Sequence, residues 1–141
     1  MGKVVYSYFL KTEGNLNLSE NFKVKEFKSR TNSTVFVDFE IVRILQGIRD
    51  YLGVPINVNS GYRTQAHNTS VGGSTNSAHL IGCAADISCK LPAIQIAKAA
   101  YKLYGRGIAI GLHTKENYVH IDTLYRGNLY AETLSNKVDK F

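Results

Sequence analysis

The stretch NSAHLIGCAADIS, residues 76–88, is the part of the chain that most narrows its fold and chemistry. It holds one histidine, His79, and one aspartate, Asp86, seven positions apart among small and apolar residues. An imidazole and a carboxylate are both good ligands for a divalent metal ion. Because a histidine and an aspartate at this spacing often occur by chance, a metal site would need further ligands from elsewhere in the chain.

The second half of this stretch, about residues 83–88, is predicted to be a strand. Alternate side chains of a strand point to the same face of a sheet. Asp86 would therefore share its face with Ala84 and Ser88, whose small side chains leave room for a metal ion and a substrate. His79 would lie on the loop that leads into the strand.

A second polar face is predicted on the strand that contains the sequence YVHID. His120 alternates there to the same side as Tyr118 and Asp122, opposite the apolar Val119 and Ile121. Burying such polar groups costs free energy unless they have partners, such as a metal ion. The alternation therefore suggests that this face belongs to a site.

Two cysteines, Cys83 and Cys89, lie six positions apart. They do not form a CxxC pair, so a cysteine zinc site is not expected. We interpret them as small buried residues rather than as the two halves of a disulfide.

Length and composition indicate a single domain over residues 1–141. With 44% hydrophobic residues, the chain is long enough for one core and too short for two substantial ones. No apolar run approaches the roughly 18 residues of a membrane helix, so a membrane partner is not expected. The N-terminus is interpreted as a first strand and not as a signal peptide. We therefore expect a monomer that is cytoplasmic in the producing cell.

The net charge of +6 favours polyanionic surroundings, such as nucleic acid, an anionic membrane or a cell-wall polymer. The lysines and arginines are spread along the chain rather than gathered in blocks. Zinc-finger spacing and an aromatic RNA-binding signature are both missing. We therefore do not predict a nucleic-acid partner.

Hydrophobic patterning predicts a mixture of helices and strands. Strands are expected at 3–10, 56–60, 83–88, 107–113 and 118–124, and helices near 20–28, 38–52, 64–69 and 91–104. The segment 61–78 is rich in Gly, Ser, Thr and Asn, and long irregular segments of this kind are often functional. The polar tail, residues 125–141, is expected to wrap the surface.

Several separated motifs occur in a fixed order along the chain. They are Tyr62-Arg63, His67-Asn68, Gly72-Gly73, Ser77-x-His79, Gly82-x-Ala84-x-Asp86 and finally His120 on its strand. This order resembles the zinc D-Ala-D-Ala carboxypeptidase family of peptidoglycan peptidases, whose wider group includes lysostaphin-type enzymes and the hedgehog signalling domain. The resemblance covers about residues 18–123, which is most of the chain.

The resemblance implies a role for each matching residue. His79, Asp86 and His120 would be the ligands of Zn²⁺, and the open fourth position would hold water, whose pKa zinc lowers towards about 7. Arg63 matches the arginine that grips the substrate, since a guanidinium fits a peptide carboxylate or a developing oxyanion. Ser77 would hydrogen-bond within the loop that carries the metal.

The chain departs from the family pattern just before the last zinc ligand. Related enzymes carry an acidic general base three residues before that histidine, and often another histidine two residues before it. Here these positions are Asn117 and Tyr118, and an amide cannot take a proton from water. Glu116 is the preferred candidate for the base, with Asp122 as second choice. Tyr118 would stabilise an oxyanion, and His113 would line the cleft.

The expected fold class is α+β: a small, mainly antiparallel sheet bears the zinc site on one face and is flanked by helices. The expected activity is zinc-dependent hydrolysis of a peptide bond in peptidoglycan, adjacent to a D-amino acid. Carboxypeptidase and endopeptidase action both stay open, as do D,D- and L,D-specificity. The partner would be a peptidoglycan peptide, and the positive charge suits a wall polymer rich in carboxylates and phosphates.

Two further alternatives concern biological role. A phage lysin, released to the cell wall through a holin, is the favoured origin. The rival to an enzyme is a zinc-containing, catalytically inactive module that binds cell wall or protein, and Asn117 is its main support.

Overall fold

The computed structural model describes residues 4–30 and 32–132 of the chain. In chain order its strands and helices are β1 (Val5–Phe9), α1 (Leu10–Glu13), β2 (Thr34–Asp38), α2 (Phe39–Leu52), β3 (Asn57–Ser60), α3 (Gln65–Ser70), β4 (Ala84–Ser88), α4 (Ala93–Tyr104), β5 (Ala109–His113), β6 (Tyr118–Asp122) and β7 (Leu129–Glu132). Short 3₁₀ helices cover Val24–Phe27, Ala78–Ile81 and Gly105–Gly107.

The principal sheet has five strands in the order β3–β4–β6–β5–β7. Neighbouring strands in it are antiparallel, except that β5 and β7 run parallel. A second sheet pairs β1 with β2 in antiparallel fashion. The prediction of an α+β fold built on a small, mainly antiparallel sheet is therefore confirmed.

One face of the principal sheet forms the core. The side chains that alternate to this face are apolar and buried: Ala85, Ile87, Ile110, Leu112, Val119 and Ile121. Helix α2 packs against α4, and α4 packs against β5 and β6, so helices cover this face. Because successive side chains of a strand alternate, the opposite face is left for polar groups.

Helix α2 forms where the sequence predicts a helix at 38–52. Its buried side chains lie on one side and are Ile41, Val42, Ile44, Leu45 and Ile48. Asp38 caps the helix by accepting a hydrogen bond from the backbone N–H of Glu40, and Gly53 ends it in the left-handed conformation. Helix α2 has 14 residues. No helix within the described residues is long and apolar enough to cross a bilayer.

Several short elements differ from the sequence prediction, among them α1, which begins at the last residue of the strand expected at 3–10. The helix expected near 20–28 is only the 3₁₀ helix Val24–Phe27, and β2 is not predicted at all. The expectation that the whole tail 125–141 wraps the surface is wrong, because β7 joins the sheet as an edge strand. Residues 133–141 of that tail lie outside the described residues. Both β2 and β7 have only four or five residues, and no clear alternation in the sequence distinguishes them from their surroundings.

Both cysteines have free thiols, as the sequence analysis expects. Cys83 is buried and Cys89 is half-buried. Cys83 packs with Ala78 and Ala84 beside the start of β4, so it acts as a small apolar side chain.

Gly82 is the glycine on which the start of β4 depends most. Its φ is 75°, and a Cβ there would collide with the backbone carbonyl of Phe36 in β2. We expect Gly82→Ala to lower the free energy of unfolding by about 3 kcal/mol or more, since it combines backbone strain with overpacking. Gly53 has a similar φ of 69° but open space around it, so Gly53→Ala should cost only about 1 kcal/mol. Equal losses in urea denaturation of the two variants would contradict the collision.

Candidate metal centre

Three metal-binding side chains converge on the polar face of the principal sheet. Asp86 of β4 lies directly opposite His120 of β6 in the strand register, so both side chains point to the same face. His79 reaches them from the 3₁₀ helix that precedes β4. One ligand atom from each of the three residues lies within 4.8 Å of the other two. The structure thus brings together the three residues that the sequence motifs single out.

His79 is oriented by a hydrogen bond to the backbone. Its ring Nδ1 lies 2.6 Å from the backbone carbonyl oxygen of Gly61, which can only accept a hydrogen bond. Nδ1 therefore donates to Gly61, and Nε2 is the ring nitrogen that faces the cluster, within hydrogen-bond distance of Asp86 Oδ1 at 3.3 Å. Ser77 fixes the loop by accepting a hydrogen bond from the backbone N–H of His79 at 3.2 Å.

His120 is oriented in the same manner by a carboxylate. Its Nε2 donates to Asp122 Oδ2 at 2.7 Å, and its Nδ1 lies 2.9 Å from Asp86 Oδ1. The other oxygen of Asp122 accepts from the backbone N–H groups of Leu124 and Tyr125. Both oxygens of Asp122, the second choice for the general base, are therefore engaged in hydrogen bonds, and one of them orients His120.

The donor set fits a zinc ion. Two imidazole nitrogens and one carboxylate oxygen are typical of hydrolytic zinc sites that keep a fourth position open. Tetrahedral zinc with bonds of about 2.0–2.1 Å places its ligand atoms about 3.3 Å apart. The separation of Asp86 Oδ1 from His79 Nε2, 3.3 Å, equals that spacing, and its separation from His120 Nδ1, 2.9 Å, is shorter by a few tenths of an ångström.

Asp86 is the electrostatic centre of the cluster. Burial opposes its charged form, but hydrogen bonds from His120 and His79 outweigh burial and hold the pKa of Asp86 well below its usual range. Its second oxygen, Oδ2, accepts from Arg63 Nη2 at 3.1 Å. Asp86 is therefore ionised, as a metal ligand must be, at any pH at which the protein would work.

Arg63 lies behind Asp86 at the wall of a basic pocket. Its Nε donates to Ser60 at 2.9 Å and its Nη1 to Asn68 at 3.3 Å, so three of its five N–H groups are used once Asp86 is counted. The pocket holds about 350 Å³ and is lined by Lys28, Arg30, Asn59, Ser60, Arg63, His67 and Val71. Three of these side chains are cationic at neutral pH, so the pocket suits an anionic group.

A second cavity, of about 360 Å³, opens on the metal side of the sheet. It is lined by Ser74, Asn76, Ser77, Ala78, His120, Asp122, Tyr125, Asn128 and Tyr130. Most of the lining residues carry polar side chains, and they include the candidate ligand His120 and its hydrogen-bond partner Asp122. This cavity offers a route by which a substrate could reach the open side of the cluster.

The remaining predicted residues cluster at one end of β5 and β6. His113 is buried and stacks on Tyr118, with ring centroids 4.3 Å apart. Burial and the charge of Asp86 raise the pKa of Tyr118, so its hydroxyl stays protonated. Glu116 is exposed on the turn between the strands, with its carboxylate within 4.8 Å of ligand atoms of His113 and Glu132.

Asn117 occupies its position for a structural reason. Its φ is 57°, in the left-handed region that asparagine tolerates better than most residues. Its Oδ1 accepts a hydrogen bond of 2.9 Å from the backbone N–H of Ala93, the first residue of α4. Asn117 thus caps a helix from across the fold, which explains why the position carries an amide here.

Two residues of the site region are absent from the sequence prediction. Tyr130 lines the metal-side cavity, and Glu132 pairs with His113 Nδ1 at 2.8 Å. Both come from β7, in which apolar side chains (Leu129 and Ala131) alternate with polar ones (Tyr130 and Glu132). That alternation, in the sequence LYAE, is the one signal that could have revealed them, and it is too short to separate from chance.

Removing the charge of Asp122 is expected to weaken zinc binding about 10- to 100-fold, because a carboxylate behind a ligating histidine fixes its orientation and raises its basicity. The variant Asp122→Asn retains a side-chain oxygen for the N–H groups of Leu124 and Tyr125. Competition with a chromophoric chelator measures the affinity. An unchanged affinity would show that His120 does not need this partner.

Zinc affinity is expected to rise with pH until about pH 9. Burial lowers the pKa of His120, but hydrogen bonds to Asp122 and Asp86 dominate and raise it to about 9. In the metal-free protein the imidazolium persists below that pH, so zinc must displace a proton from Nδ1. Each unit of pH below 9 should cost about tenfold in affinity. A chelator competition series from pH 6.5 to 10 that gave a flat profile would contradict this.

The fold and the donor set define a class of protein. A sheet that presents two imidazoles and a carboxylate around an open coordination position is the arrangement of a metal-dependent hydrolase. Residues 20–122 match the model of the family Peptidase M15, and the chain belongs to this family. The cofactor that this family and this donor set imply is Zn²⁺.

One curated relative matches a part of the chain. The zinc D-Ala-D-Ala carboxypeptidase of Streptomyces albus G is 48% identical over 44 residues, which are 30% of this chain. The match spans 17% of the length of that relative. The expectation of a zinc peptidase family is confirmed by the family match, while the particular bond that is cleaved is a matter for proposal.

Proposed function

We propose that the protein is a zinc-dependent peptidase that cleaves a peptide bond in peptidoglycan, adjacent to a D-amino acid. The observation that carries this proposal is the cluster of His79, Asp86 and His120 beside an open polar cavity. Membership of Peptidase M15 and the named activity of the carboxypeptidase relative support it.

The zinc ion would supply a Lewis acid that polarises the scissile carbonyl and lowers the pKa of the attacking water. The protein's own residues hold its ligands in place: Gly61 fixes the tautomer of His79, and Asp122 fixes that of His120. Such preorganisation is what distinguishes a working site from three nearby ligands.

Arg63 and the basic pocket would bind a carboxylate of the wall peptide. The pocket adds Lys28 and Arg30 to the guanidinium, and it adjoins the metal ligand Asp86 through Arg63. Stem peptides are rich in free carboxylates, so this charge arrangement supports a peptidoglycan substrate. Tyr118, with its protonated hydroxyl, and the His113 ring stacked on it would complete the substrate-binding wall.

Glu116 would act as the general base that takes a proton from the attacking water. Glu116 is exposed on its turn, so its carboxylate is open to water. Asp122, by contrast, holds His120 and two backbone N–H groups. A base must be free to accept a proton, so these contacts favour Glu116 over Asp122.

A specific observation favours one rival function. Asn117 caps α4, at the position where related enzymes carry an acid, so the chain could retain zinc without turnover. The protein would then be a module that binds wall peptide or another protein.

For the enzyme we propose the role of a phage lysin that reaches peptidoglycan through a holin. Co-expression with and without a holin, followed by a measurement of cell lysis, would test this role.

The direct test is incubation of the zinc-loaded protein with purified peptidoglycan. We expect about one zinc per chain, release of new amines, and loss of this release on dialysis against a chelator with recovery on adding zinc. Free D-alanine among the products would indicate carboxypeptidase action, whereas new amines without D-alanine would indicate endopeptidase action. Tight zinc binding with no release from any wall type tested would establish the binding module instead.

A further inference from the structure

The strand register places Tyr130 in line with the metal ligands. Asp86 of β4 pairs with His120 of β6, His120 pairs with Gly111 of β5, and Gly111 pairs with Tyr130 of β7. Side chains in such a row share one face of the sheet. Gly111 has no side chain, and the hydroxyl end of the Tyr130 ring fills the space that a Cβ would occupy. Tyr130 therefore lies across β5 towards His120.

The Tyr130 hydroxyl is the end of a hydrogen-bonded chain. It lies 3.2 Å from His113 Nε2, and the other ring nitrogen of His113, Nδ1, lies 2.8 Å from Glu132 Oε2. Tyr118 stacks flat on the imidazole, with an interplanar angle of 8°, and so fixes the plane of the ring. His113 is 8% exposed, whereas the Glu132 side chain is 63% exposed. The chain thus runs from solvent to the metal-side cavity.

We propose that this chain, the Tyr130–His113–Glu132 relay, delivers the proton that the leaving amine needs when the peptide bond breaks. The inference rests on the proposed peptidase function and adds to it a proton donor that the motifs do not contain. Tyr130 lies beyond residues 20–122, the part of the chain that matches the family.

The hydrogen-bonding roles within the relay follow from its ends. The Glu132 carboxylate can only accept, so His113 Nδ1 donates to it. When Nε2 also carries a proton, it donates to the Tyr130 oxygen and leaves the tyrosine O–H free to point into the cavity. Burial, followed by the charges of Asp86 and Glu132, raises the pKa of Tyr130 to about 12, so the hydroxyl is present as a donor.

The proton count of the reaction closes without another reactant. The attacking water gives one proton to Glu116 as its oxygen bonds to the scissile carbonyl carbon. The C–N bond then breaks, and the amine nitrogen takes the proton of Tyr130, which is replaced from His113 Nε2. Glu116 is exposed and passes the first proton to solvent, and a proton from solvent restores His113 after the turnover. One water is consumed, and one amine and one carboxyl group are formed.

The same groups allow one competing interpretation. Ligand atoms of His113, Glu116 and Glu132 all lie within 4.8 Å of one another, which would also permit a second metal ion. Both ring nitrogens of His113 are already hydrogen-bonded, and both carboxylates are exposed. These contacts favour the relay, and zinc stoichiometry separates the two interpretations.

The experiment compares zinc-loaded wild type, Tyr130→Phe and Tyr51→Phe on a wall peptide and on its analogue with an ester in place of the scissile amide. Tyr51 is exposed on α2, so its variant is the matched control for loss of a phenol. The leaving group of an ester is an alcohol, which depends less on protonation than the amine that leaves from an amide. We therefore expect Tyr130→Phe to lower kcat about 100-fold on the amide but less than about fivefold on the ester.

Two measurements other than activity test whether the variants keep the metal centre and lose only the hydrogen bond to His113. Zinc content should stay near one per chain in both variants. The ¹⁵N resonance of His113 Nε2 should shift in Tyr130→Phe and stay unchanged in Tyr51→Phe, because only the first variant removes its hydrogen-bond partner.

Each contrary result overturns the relay in a distinguishable way. Full amide activity of Tyr130→Phe, or an equal loss on amide and ester, would show that Tyr130 does not protonate the leaving group. Two zinc ions per chain, with the second lost in Glu132→Gln, would replace the relay with a second metal site. A wild type that is inert on both substrates would overturn the proposed peptidase function, and the relay with it.

Discussion

Replacing His120 with alanine is expected to abolish both zinc binding and peptidoglycan hydrolysis. The variant removes one of the three ligands and leaves Asp86 with one histidine fewer to balance its buried charge. Two protein ligands seldom hold zinc at a catalytic site, and without the ion the attacking water keeps a pKa near 15.7. Metal analysis after gel filtration and amine release from peptidoglycan measure the two losses together.

The matched control for this experiment is His67→Ala. His67 is a histidine of the same region, but its Nδ1 bonds to Ser29 at 2.8 Å and it is not part of the ligand cluster. This variant should retain about one zinc per chain. If His120→Ala kept its zinc as well as His67→Ala does, the assignment of the metal centre would be wrong.

Replacing Glu116 with glutamine is expected to lower kcat about 10²- to 10⁴-fold while the zinc content stays unchanged. An amide of the same shape cannot accept a proton from water, and general base catalysis typically contributes a factor of this size. Because Glu116 is exposed on a turn, the variant should fold normally. Steady-state kinetics on a defined wall peptide, with metal analysis of the same preparation, makes the measurement.

Glu20→Gln serves as the control for loss of an exposed carboxylate, since Glu20 lies far along the chain from the turn. It should leave kcat and zinc content unchanged. A change of less than about threefold in Glu116→Gln would remove Glu116 from the mechanism. Together with retained zinc and an inactive wild type, it would favour the binding module.

The cluster of His79, Asp86 and His120 could be predicted from the sequence because its members lie in short local motifs. His79 and Asp86 lie within one stretch of 13 residues, and the alternation around His120 is visible in five letters. The helix at 38–52 could be predicted equally well, since burial repeats along its whole length. Patterns of this kind depend on residues that are near in sequence.

The rest depends on contacts between distant segments, which no local pattern records. Asn117 caps a helix that begins 24 residues earlier. The sequence shows that an amide stands where related enzymes carry an acid, but it does not show this contact, which is the reason for the amide. The backbone carbonyl of Gly61 binds His79, 18 residues further along the chain. Because every residue has a backbone carbonyl, the sequence does not reveal this contact. Tyr130 lies beside the cluster only because β7 pairs with β5 in parallel. The four residues of β7 do not predict that pairing.

The pairing of Asp86 with Arg63 also sets the overall charge that a substrate meets. With zinc bound, the two carboxylates Asp86 and Asp122 balance the two charges of the ion, and Arg63 leaves an excess of one positive charge. The centre would then attract an anionic peptide from a distance, through a field that dissolved salt weakens. The ionic strength around the cell wall would thus act on the rate at which substrate arrives, before any bond is broken.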